Sequence, residues 1–441
     1  MAYVADLRAV LAERDFRRLF ATRLISQTGD GVFNAGFAAY VFFSAQTFPN
    51  PAAAVDAFAV LYLPYSLIGP FAGVFIDRWS RRQILVWSAV IRAAVVVLTA
   101  VLVGSGNLGL PLYLCALGVL GVNRFFLSSL SAALPHVVAN DKLVMANAVA
   151  PTSGTIVSFI GAIAGLGIHL ATGGGYTGSA ATLLAGGACY LLAGLAGATM
   201  RRDLLGPSRD PSEPQPAGVF AELATVAVGL AAGARHVWHR RQAAAALGAT
   251  GSQRFLYGIL LVMSILLYRN YFHSASANSA LASYTLVVIA SALGYFSAAL
   301  VIPPITSRVS KPACITGLLA AGGVVAGPLG ATFSQVPFLI VGFGLGVVAQ
   351  GVTICATTII QQQVDDAYRG RAFAFNDMFF NVCTVLGAAV AAPFLPLTGR
   401  SYSLIAVVSI GYVLAAAGYA ALSRWPVSPT PEPSQPTATR G

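Results

Sequence analysis

A stripe of polar side chains within the first long apolar segment is the feature of this chain best suited to chemistry. Its members are Arg23, Gln27, Asp30 and Asn34. Spacings of four, three and four residues place them on one face of a helix. In a membrane-spanning helix such a face must turn toward a cavity or other helices rather than toward lipid. A carboxylate there could bind a proton or a cationic substrate, or it could belong to a structural hydrogen-bond network.

Two further apolar segments carry polar stripes of the same kind. One has Arg124, Ser128 and Ser131, and the other has Gln350, Thr353 and Thr357. Both sets share one helical face by their spacing. We expect Gln350 to belong to the lining of a substrate cavity.

The remaining charges inside apolar segments have weaker claims to a function. Charged groups at the bilayer centre are costly, so each one is a candidate for a role. Asp377, with Asn376 and Asn381 nearby, is interpreted as a tie between helices. Arg254 is interpreted as structural or interfacial, and Arg92 has no evident partner and receives no role.

A compact charged turn lies at Gly73–Arg82, between two apolar segments. It holds one carboxylate, Asp77, and the three guanidinium groups of Arg78, Arg81 and Arg82. Guanidinium groups pair with carboxylates and with the partially negative carboxyl ends of helices. The glycine at the head of the turn, Gly73, lets a neighbouring helix approach closely. The turn is therefore a candidate link between several helices.

Composition places the chain in the membrane. Of its 441 residues 57% are hydrophobic and only 9% are charged, whereas soluble domains carry about 25% charge. The net charge of +11 is explained by arginines at helix ends rather than by a nucleic-acid-binding patch. The sequence has no phosphate-binding loop and no recognisable catalytic spacing of His, Cys or Ser. We therefore expect no enzyme activity, no metal and no cofactor.

The apolar segments divide into two groups of six. A span needs about 20 mostly apolar residues. Such runs lie near 19–44, 56–76, 83–104, 110–134, 143–171 and 178–199, and then near 243–269, 282–304, 313–333, 336–361, 372–396 and 401–422. The pattern predicts an all-α membrane protein with twelve transmembrane helices in two pseudo-symmetric six-helix bundles and a substrate site between them.

The placement of arginine and lysine predicts the orientation and the domain boundaries. These residues cluster before span 1, after spans 2, 4, 8, 10 and 12 and in the linker, so both termini are expected in the cytoplasm. The predicted parts are an amphipathic N-terminus (1–18), two bundles (19–199 and 243–422), a linker with an amphipathic helix (200–242) and a disordered tail (423–441). We expect the linker helix to lie in the lipid interface.

Glycines recur on one face of the fifth predicted span. Gly154, Gly161 and Gly165 share this face with Ser158. Small residues in this arrangement let two membrane helices pack with their backbones close together. We interpret the three glycines as a packing surface.

The charged turn resembles the signature loop of the major facilitator superfamily, with Ser80 in place of its second glycine. Four further segments are similar to segments of the drug–proton antiporters that include macrolide and siderophore exporters. They are Asp15–Phe20, Ile25–Asp30, Arg124–Pro135 and Gln361–Asp377. The sequence departs from that pattern at His136 and Ala162, where the family has an acidic residue and a proline. The resemblance extends over all twelve predicted spans.

The resemblance implies a secondary active transporter of the bacterial plasma membrane, driven by the proton gradient. It would export small amphipathic compounds as a monomer, by alternating access. The first and fourth spans line the central cavity in this superfamily, so the resemblance also implies a pair of Asp30 with Arg124, with Asp30 as the coupling residue. The charged turn would act as the cytoplasmic gate. Two alternatives stay open: a lipid or lysolipid flippase without proton coupling, and a non-transporting scaffold or sensor.

Overall fold

The structure is a computed structural model that describes residues 11–43, 51–52, 54–57, 59, 71, 79–106, 109–139, 143–201, 204–205 and 219–423. The regular secondary structure of this part of the chain is helical. The long helices are α1 (Arg14–Phe43), α2 (Arg81–Gly104), α3 (Leu110–Ala133), α4 (Leu143–Ala171), α5 (Gly175–Ala198), α6 (Val219–His239), α7 (Arg241–Leu266), α8 (Ala277–Thr306), α9 (Lys311–Gly330), α10 (Gln335–Gln363), α11 (Asp366–Ala391) and α12 (Tyr402–Ser423).

Ten helices in this part of the chain are long and apolar enough to cross a membrane. They are α2 to α5 and α7 to α12, which match the last four predicted spans of the first group and all six of the second group. Helix α1 overlaps predicted span 1 and has 30 residues, a length similar to those of the ten helices. It carries the polar stripe, however, and is not among the ten. Predicted span 2 (56–76) lies mostly outside the described residues. Twelve spans in two bundles therefore stay a prediction.

The helices before residue 200 and those after residue 240 pack in the same pattern. In the first set α1 contacts α4 and α5, and α2 contacts α3 and α5. In the second set α7 contacts α11 and α12, and α9 contacts α10 and α12. This repetition agrees with the parallel-repeat architecture of many transporters.

One pair of glycine contacts shows the repetition at atomic level. A Cβ atom on Gly31 of α1 would overlap the carbonyl of Ser158 on α4. A Cβ atom on Gly258 of α7 would likewise overlap the carbonyl of Thr384 on α11. In both places the absence of a side chain lets one helix backbone rest directly on its neighbour. The two helix sets therefore share this contact.

The linker helix α6 packs against the start of α11. Gly229 and Gly233 of α6 lie against the side chain of Arg371. Two large apolar side chains of α6, Val228 and Trp238, remain exposed by 70% and 71%. One face of α6 is therefore docked on protein, while apolar groups remain exposed elsewhere on the helix.

Candidate functional site

The centre of the first helix set holds a buried ion pair between Arg92 of α2 and Asp30 of α1. Arg92 Nη1 donates to Asp30 Oδ1 at 3.0 Å and to Asn123 Oδ1 at 2.7 Å, and its Nη2 donates to Ser26 Oγ at 2.7 Å. Asp30 also accepts from Tyr190 Oη at 2.9 Å and from Asn123 Nδ2 at 3.1 Å. Four helices, α1, α2, α3 and α5, thus contribute to one polar network.

Two aromatic rings complete the surroundings of the Arg92 guanidinium group. Its Cζ atom lies 4.5 Å from the ring centre of Phe126 and 4.2 Å from that of Tyr190. Cation–π contacts of this kind stabilise a desolvated guanidinium group. Arg92 is fully buried, whereas 13% of the Asp30 side chain is exposed. Asp30 is consequently the member of the ion pair that a ligand or a proton can reach.

The prediction that Asp30 pairs with Arg124 is wrong. Asp30 pairs with Arg92, the residue to which the sequence assigned no role. Arg124 instead has its Nη2 atom 4.0 Å from Asp377 Oδ2 on α11. The physical reason lies in the faces of α3: Asn123 points into the network around Asp30, so its chain neighbour Arg124 must point elsewhere.

A signal for Arg92 was present in the sequence. Ser88, Arg92 and Thr99 are spaced four and seven residues apart, so they share one face of α2. All three are buried. A polar face in an apolar span indicates contact with other helices, and the same argument that selected Asp30 would have selected Arg92.

Asp30 lies at the wall of a central cavity with a volume of about 700 Å³. Residues of α1, α3, α4, α5, α7, α8 and α11 line it. Among the described lining residues Asp30 is the only one with an ionisable acidic or basic side chain apart from tyrosines. Its polar neighbours in the wall include Gln27, Asn34, Asn123 and Asn381. The rest of the wall is mainly apolar and rich in aromatic rings.

The expected cavity residues divide into two groups. Gln27 and Asn34 line the cavity together with Asp30, as their common helical face indicates. Arg124 and Gln350 are not among its lining residues. The Oε1 atom of Gln350 is buried without a hydrogen-bond partner among the described residues. Thr353 and Thr357 of the same stripe are also not among the lining residues, and their hydroxyls donate to carbonyls of their own helix.

The wall between α1 and α4 depends on the predicted glycines. The side chain of Gln27 occupies the space where Gly154 would carry a Cβ atom, and the carbonyl of Thr28 does so at Gly161. At Gly165 a Cβ atom would stand 2.9 Å from the Cβ atom of Ala35. These contacts hold α4 close to the helix that carries Asp30.

Aromatic pairs connect the two helix sets across the cavity. The rings of Phe43 on α1 and Tyr284 on α8 lie 5.4 Å apart. Those of Phe159 on α4 and Phe296 on α8 meet edge to face at 5.8 Å. All four residues line the cavity. Helix α8 therefore contacts α1 and α4 through aromatic rings that also line the cavity.

The described part of the charged turn ties helix ends within the first set. Arg81 Nη1 donates to the carbonyls of Ala132 at 3.1 Å and Leu205 at 3.2 Å. Arg82 Nη2 donates to the carbonyl of Ala198 at 2.7 Å. Both arginines thus satisfy carbonyls at or beyond the ends of α3 and α5. Gly73, Asp77 and Arg78 lie outside the described residues, and their role in a gate stays a prediction.

Arg254 lies inside α7 and is 8% exposed. Its Cζ atom stands 3.6 Å from the ring centre of Phe380 on α11 and 5.8 Å from that of Tyr257. The residue therefore belongs to the interior of the second helix set.

Within the described residues no three His, Cys, Asp or Glu side chains are arranged to hold a metal ion.

Comparison with known proteins identifies relatives over nearly the whole chain. The uncharacterized MFS-type transporter Rv0037c of Mycobacterium tuberculosis is 37% identical over 397 residues, which are 89% of this chain and 88% of that protein. The uncharacterized MFS-type transporter Mb0038c of Mycobacterium bovis matches with the same figures. No protein-family model matches the sequence.

Solved transporter structures share the fold at low sequence identity. The nucleoside transporter NupG aligns with a TM-score of 0.67 and 15% identity over 92% of this chain and 98% of its own. The POT family transporter PepTSo aligns with a TM-score of 0.66 and 12% identity over 93% of this chain and 98% of its own. Because the chain is homologous to MFS-type transporters over 89% of its length, shares the fold of solved transporters and has ten apolar helices in its described part, it is a multi-pass membrane protein that belongs to the major facilitator superfamily of transporters.

Proposed function

We propose that this protein is a proton-coupled exporter of small amphipathic compounds that works by alternating access. The observation that carries the proposal is the position of Asp30. Its carboxylate lies between the central cavity and a fully buried guanidinium group. A carboxyl group in this place can exchange a proton with the cavity. Its change in charge then alters its hydrogen bonds and ion pair with side chains from three neighbouring helices.

The coupling step follows from the charges. While Asp30 is ionised, it neutralises Arg92 across 3.0 Å. A proton that enters from the cavity would remove the carboxylate charge and leave the Arg92 cation uncompensated in a low-dielectric interior. The helices must then rearrange to give Arg92 another partner or more solvent. A conformational equilibrium that responds to the protonation of one carboxyl group is what proton coupling requires.

The lining of the cavity supports an amphipathic substrate. Aromatic rings such as Phe33, Phe42 and Phe159 offer apolar contact, while the amides of Asn34 and Asn381 offer hydrogen bonds. Because Arg92 neutralises Asp30, the cavity does not present an unpaired negative charge. We therefore propose neutral or weakly charged compounds rather than strong cations. A volume of about 700 Å³ is typical of sites for drug-sized molecules.

Alternating access is supported by the way the two helix sets meet. The pairs Phe43–Tyr284 and Phe159–Phe296 join them across the cavity by apolar ring contacts. Such contacts can separate without leaving buried charges unpaired, which suits a rocking motion of the repeats about a central site.

The export direction and the assignment to the drug–proton antiporters rest on the sequence resemblance. One fold neighbour is named a nucleoside transporter and another a POT family transporter, so the shared fold does not select the substrate.

The test is transport by the purified protein in liposomes with an imposed pH gradient, with radiolabelled chloramphenicol as a neutral amphipathic probe. We expect the gradient to drive severalfold accumulation by the wild-type protein. Asp30→Asn keeps the size of the side chain but cannot ionise, so this variant should no longer respond to the gradient. Asp15→Asn is the matched control, because Asp15 lies on the same helix at the surface and pairs only with Arg18 in the described contacts.

Two results would contradict the proposal. If Asp30→Asn responds to the pH gradient as the wild type does, Asp30 is not the coupling group. If neither protein responds to the gradient but both move a fluorescent phospholipid between leaflets, the flippase alternative is favoured instead.

A further inference from the structure

A second cavity, of about 310 Å³, lies among the helices of the second set. It is found where α8 and α10 end and where α7 and α9 begin, and α12 completes its wall. It shares no lining residue with the central cavity. Unlike the central cavity, its wall is about as polar as it is apolar, with hydroxyl, amide and ammonium groups from five helices.

Several polar groups in this wall lack protein partners. Tyr419 is only 5% exposed, yet its hydroxyl makes no hydrogen bond within the described part of the chain. The same holds for the side-chain amides of Gln242 and Gln363. Gln242 and Gln363 are partly exposed and can bind water, whereas Tyr419 is buried. Polar groups of buried residues are normally hydrogen-bonded, so the unpaired Tyr419 hydroxyl indicates an occupant of the cavity.

The charge of the wall is positive. Lys311 donates one hydrogen bond from Nζ to Gln362 Oε1 at 3.2 Å, and a lysine ammonium group has three donors. No aspartate or glutamate is among the lining residues. An anion would therefore meet one uncompensated cation and no repelling carboxylate.

The corresponding position of the first helix set holds a guanidinium group. Ser80 and Ser310 are the residues that precede α2 and α9, so Arg81 and Arg82 correspond to Lys311 and Pro312. In the first set the guanidinium of Arg82 reaches the carbonyl of Ala198 at the end of α5. Pro312 has no side-chain donor with which to do the same at the end of α12. The second set therefore retains a cavity where the first set has a guanidinium group.

We propose that this cavity binds a phosphate group. Lys311 supplies the charge, because a lysine ammonium is a compact cation well suited to phosphate. Tyr419, Gln242 and Gln363 supply further donors from three different helices. A volume of about 310 Å³ holds a phosphate with a few attached atoms, such as glycerol phosphate, and lies at the lower end of small-molecule sites. This site is independent of the proposed transport of amphipathic compounds.

A phospholipid headgroup and a soluble phosphate ester share this chemistry, and two arms of one experiment separate them. The full-length protein in detergent is titrated with phosphatidylglycerol in one arm and with glycerol phosphate in the other. Diacylglycerol and glycerol serve as the phosphate-free controls. The rise of the melting temperature with ligand concentration gives the Kd.

The variants decide whether the ligand occupies this cavity. Lys311→Gln should weaken binding by about tenfold or more, because it removes the only charge in the wall. Arg308→Gln is the matched control, since Arg308 is an exposed cation of the same α8–α9 turn that does not line the cavity. It should bind as the wild type does. Tyr419→Phe should weaken binding severalfold and provides a second variant if Lys311→Gln does not fold.

Binding of glycerol phosphate that depends on Lys311 assigns a soluble ligand to the site, and binding of phosphatidylglycerol alone assigns a lipid. The proposal is overturned if neither probe binds in preference to its phosphate-free control. It is also overturned if Lys311→Gln and Tyr419→Phe both bind like the wild type, or if Arg308→Gln loses as much affinity as Lys311→Gln.

Discussion

The guanidinium group of Arg92 donates to the carboxylate of Asp30 across 3.0 Å. Arg92 is fully buried, and Asp30 is the side of the pair that reaches the central cavity. The two residues lie on different helices and are 62 positions apart in the chain. This ion pair connects the central cavity to the packing of the first helix set, and the stability of that set should therefore depend on it.

Replacing Arg92 alone should destabilise the protein. In Arg92→Met the Asp30 carboxylate keeps Tyr190 and Asn123 but loses its counter-ion, and breaking a buried ion pair costs about 3–5 kcal/mol. Unfolding by sodium dodecyl sulfate in mixed micelles measures the free energy. The double variant Asp30→Asn/Arg92→Met removes both charges and should recover a large part of the loss. If the two single losses simply add in the double variant, the pair is not coupled.

The Tyr190 hydroxyl should contribute through its hydrogen bond to Asp30. Tyr190→Phe retains the ring over Arg92 but removes a bond to a charged group, which is worth about 1.5–3 kcal/mol. Tyr412 is an equally buried tyrosine of the second set, on α12, with no carboxylate among its charged neighbours. Tyr412→Phe should therefore cost less than about 1 kcal/mol in the same unfolding measurement. Equal losses in the two variants would contradict this explanation.

A single methyl group at Gly161 should disturb the contact of α1 with α4. In Gly161→Ala the new Cβ atom overlaps the carbonyl of Thr28, a backbone atom that cannot turn away. Overpacking of this kind costs about 1–3 kcal/mol. Gly167→Ala on the same helix is the control, because no atom lies within 4 Å of its Cβ position. That variant should be neutral or slightly stabilising, and a comparable loss in both would refute the packing argument.

A covalent link between α1 and α8 should stop transport if the two helix sets move apart. We expect Phe43→Cys/Tyr284→Cys, in a background with the five native cysteines replaced by alanine, to cross-link on oxidation, since the native rings lie 5.4 Å apart. Chloramphenicol transport should fall and return on reduction. Phe375→Cys/Phe379→Cys links two positions within α11, whose rings lie 6.1 Å apart, and should leave transport unchanged. Full transport by the cross-linked α1–α8 variant would exclude a rocking motion at this contact.

Hydropathy and spacing along the chain determined much of this protein. Ten of the predicted spans correspond to apolar helices, because a run of about 20 apolar residues is a local property of the sequence. The common face of Gln27, Asp30 and Asn34 was likewise readable, since helical periodicity fixes which side chains share a face. The same reasoning indicated that the glycines of α4 would permit close packing, and the structure places them against α1.

The partner of Asp30 was decided only by the tertiary structure. Periodicity gives the face of each helix but not how a neighbouring helix is rotated about its own axis. On α3 that rotation directs Asn123 rather than Arg124 toward Asp30, and on α2 it brings in Arg92. Tyr190 joins from 160 residues away. A network assembled from four helices depends on their mutual packing, and no spacing within one segment contains that information.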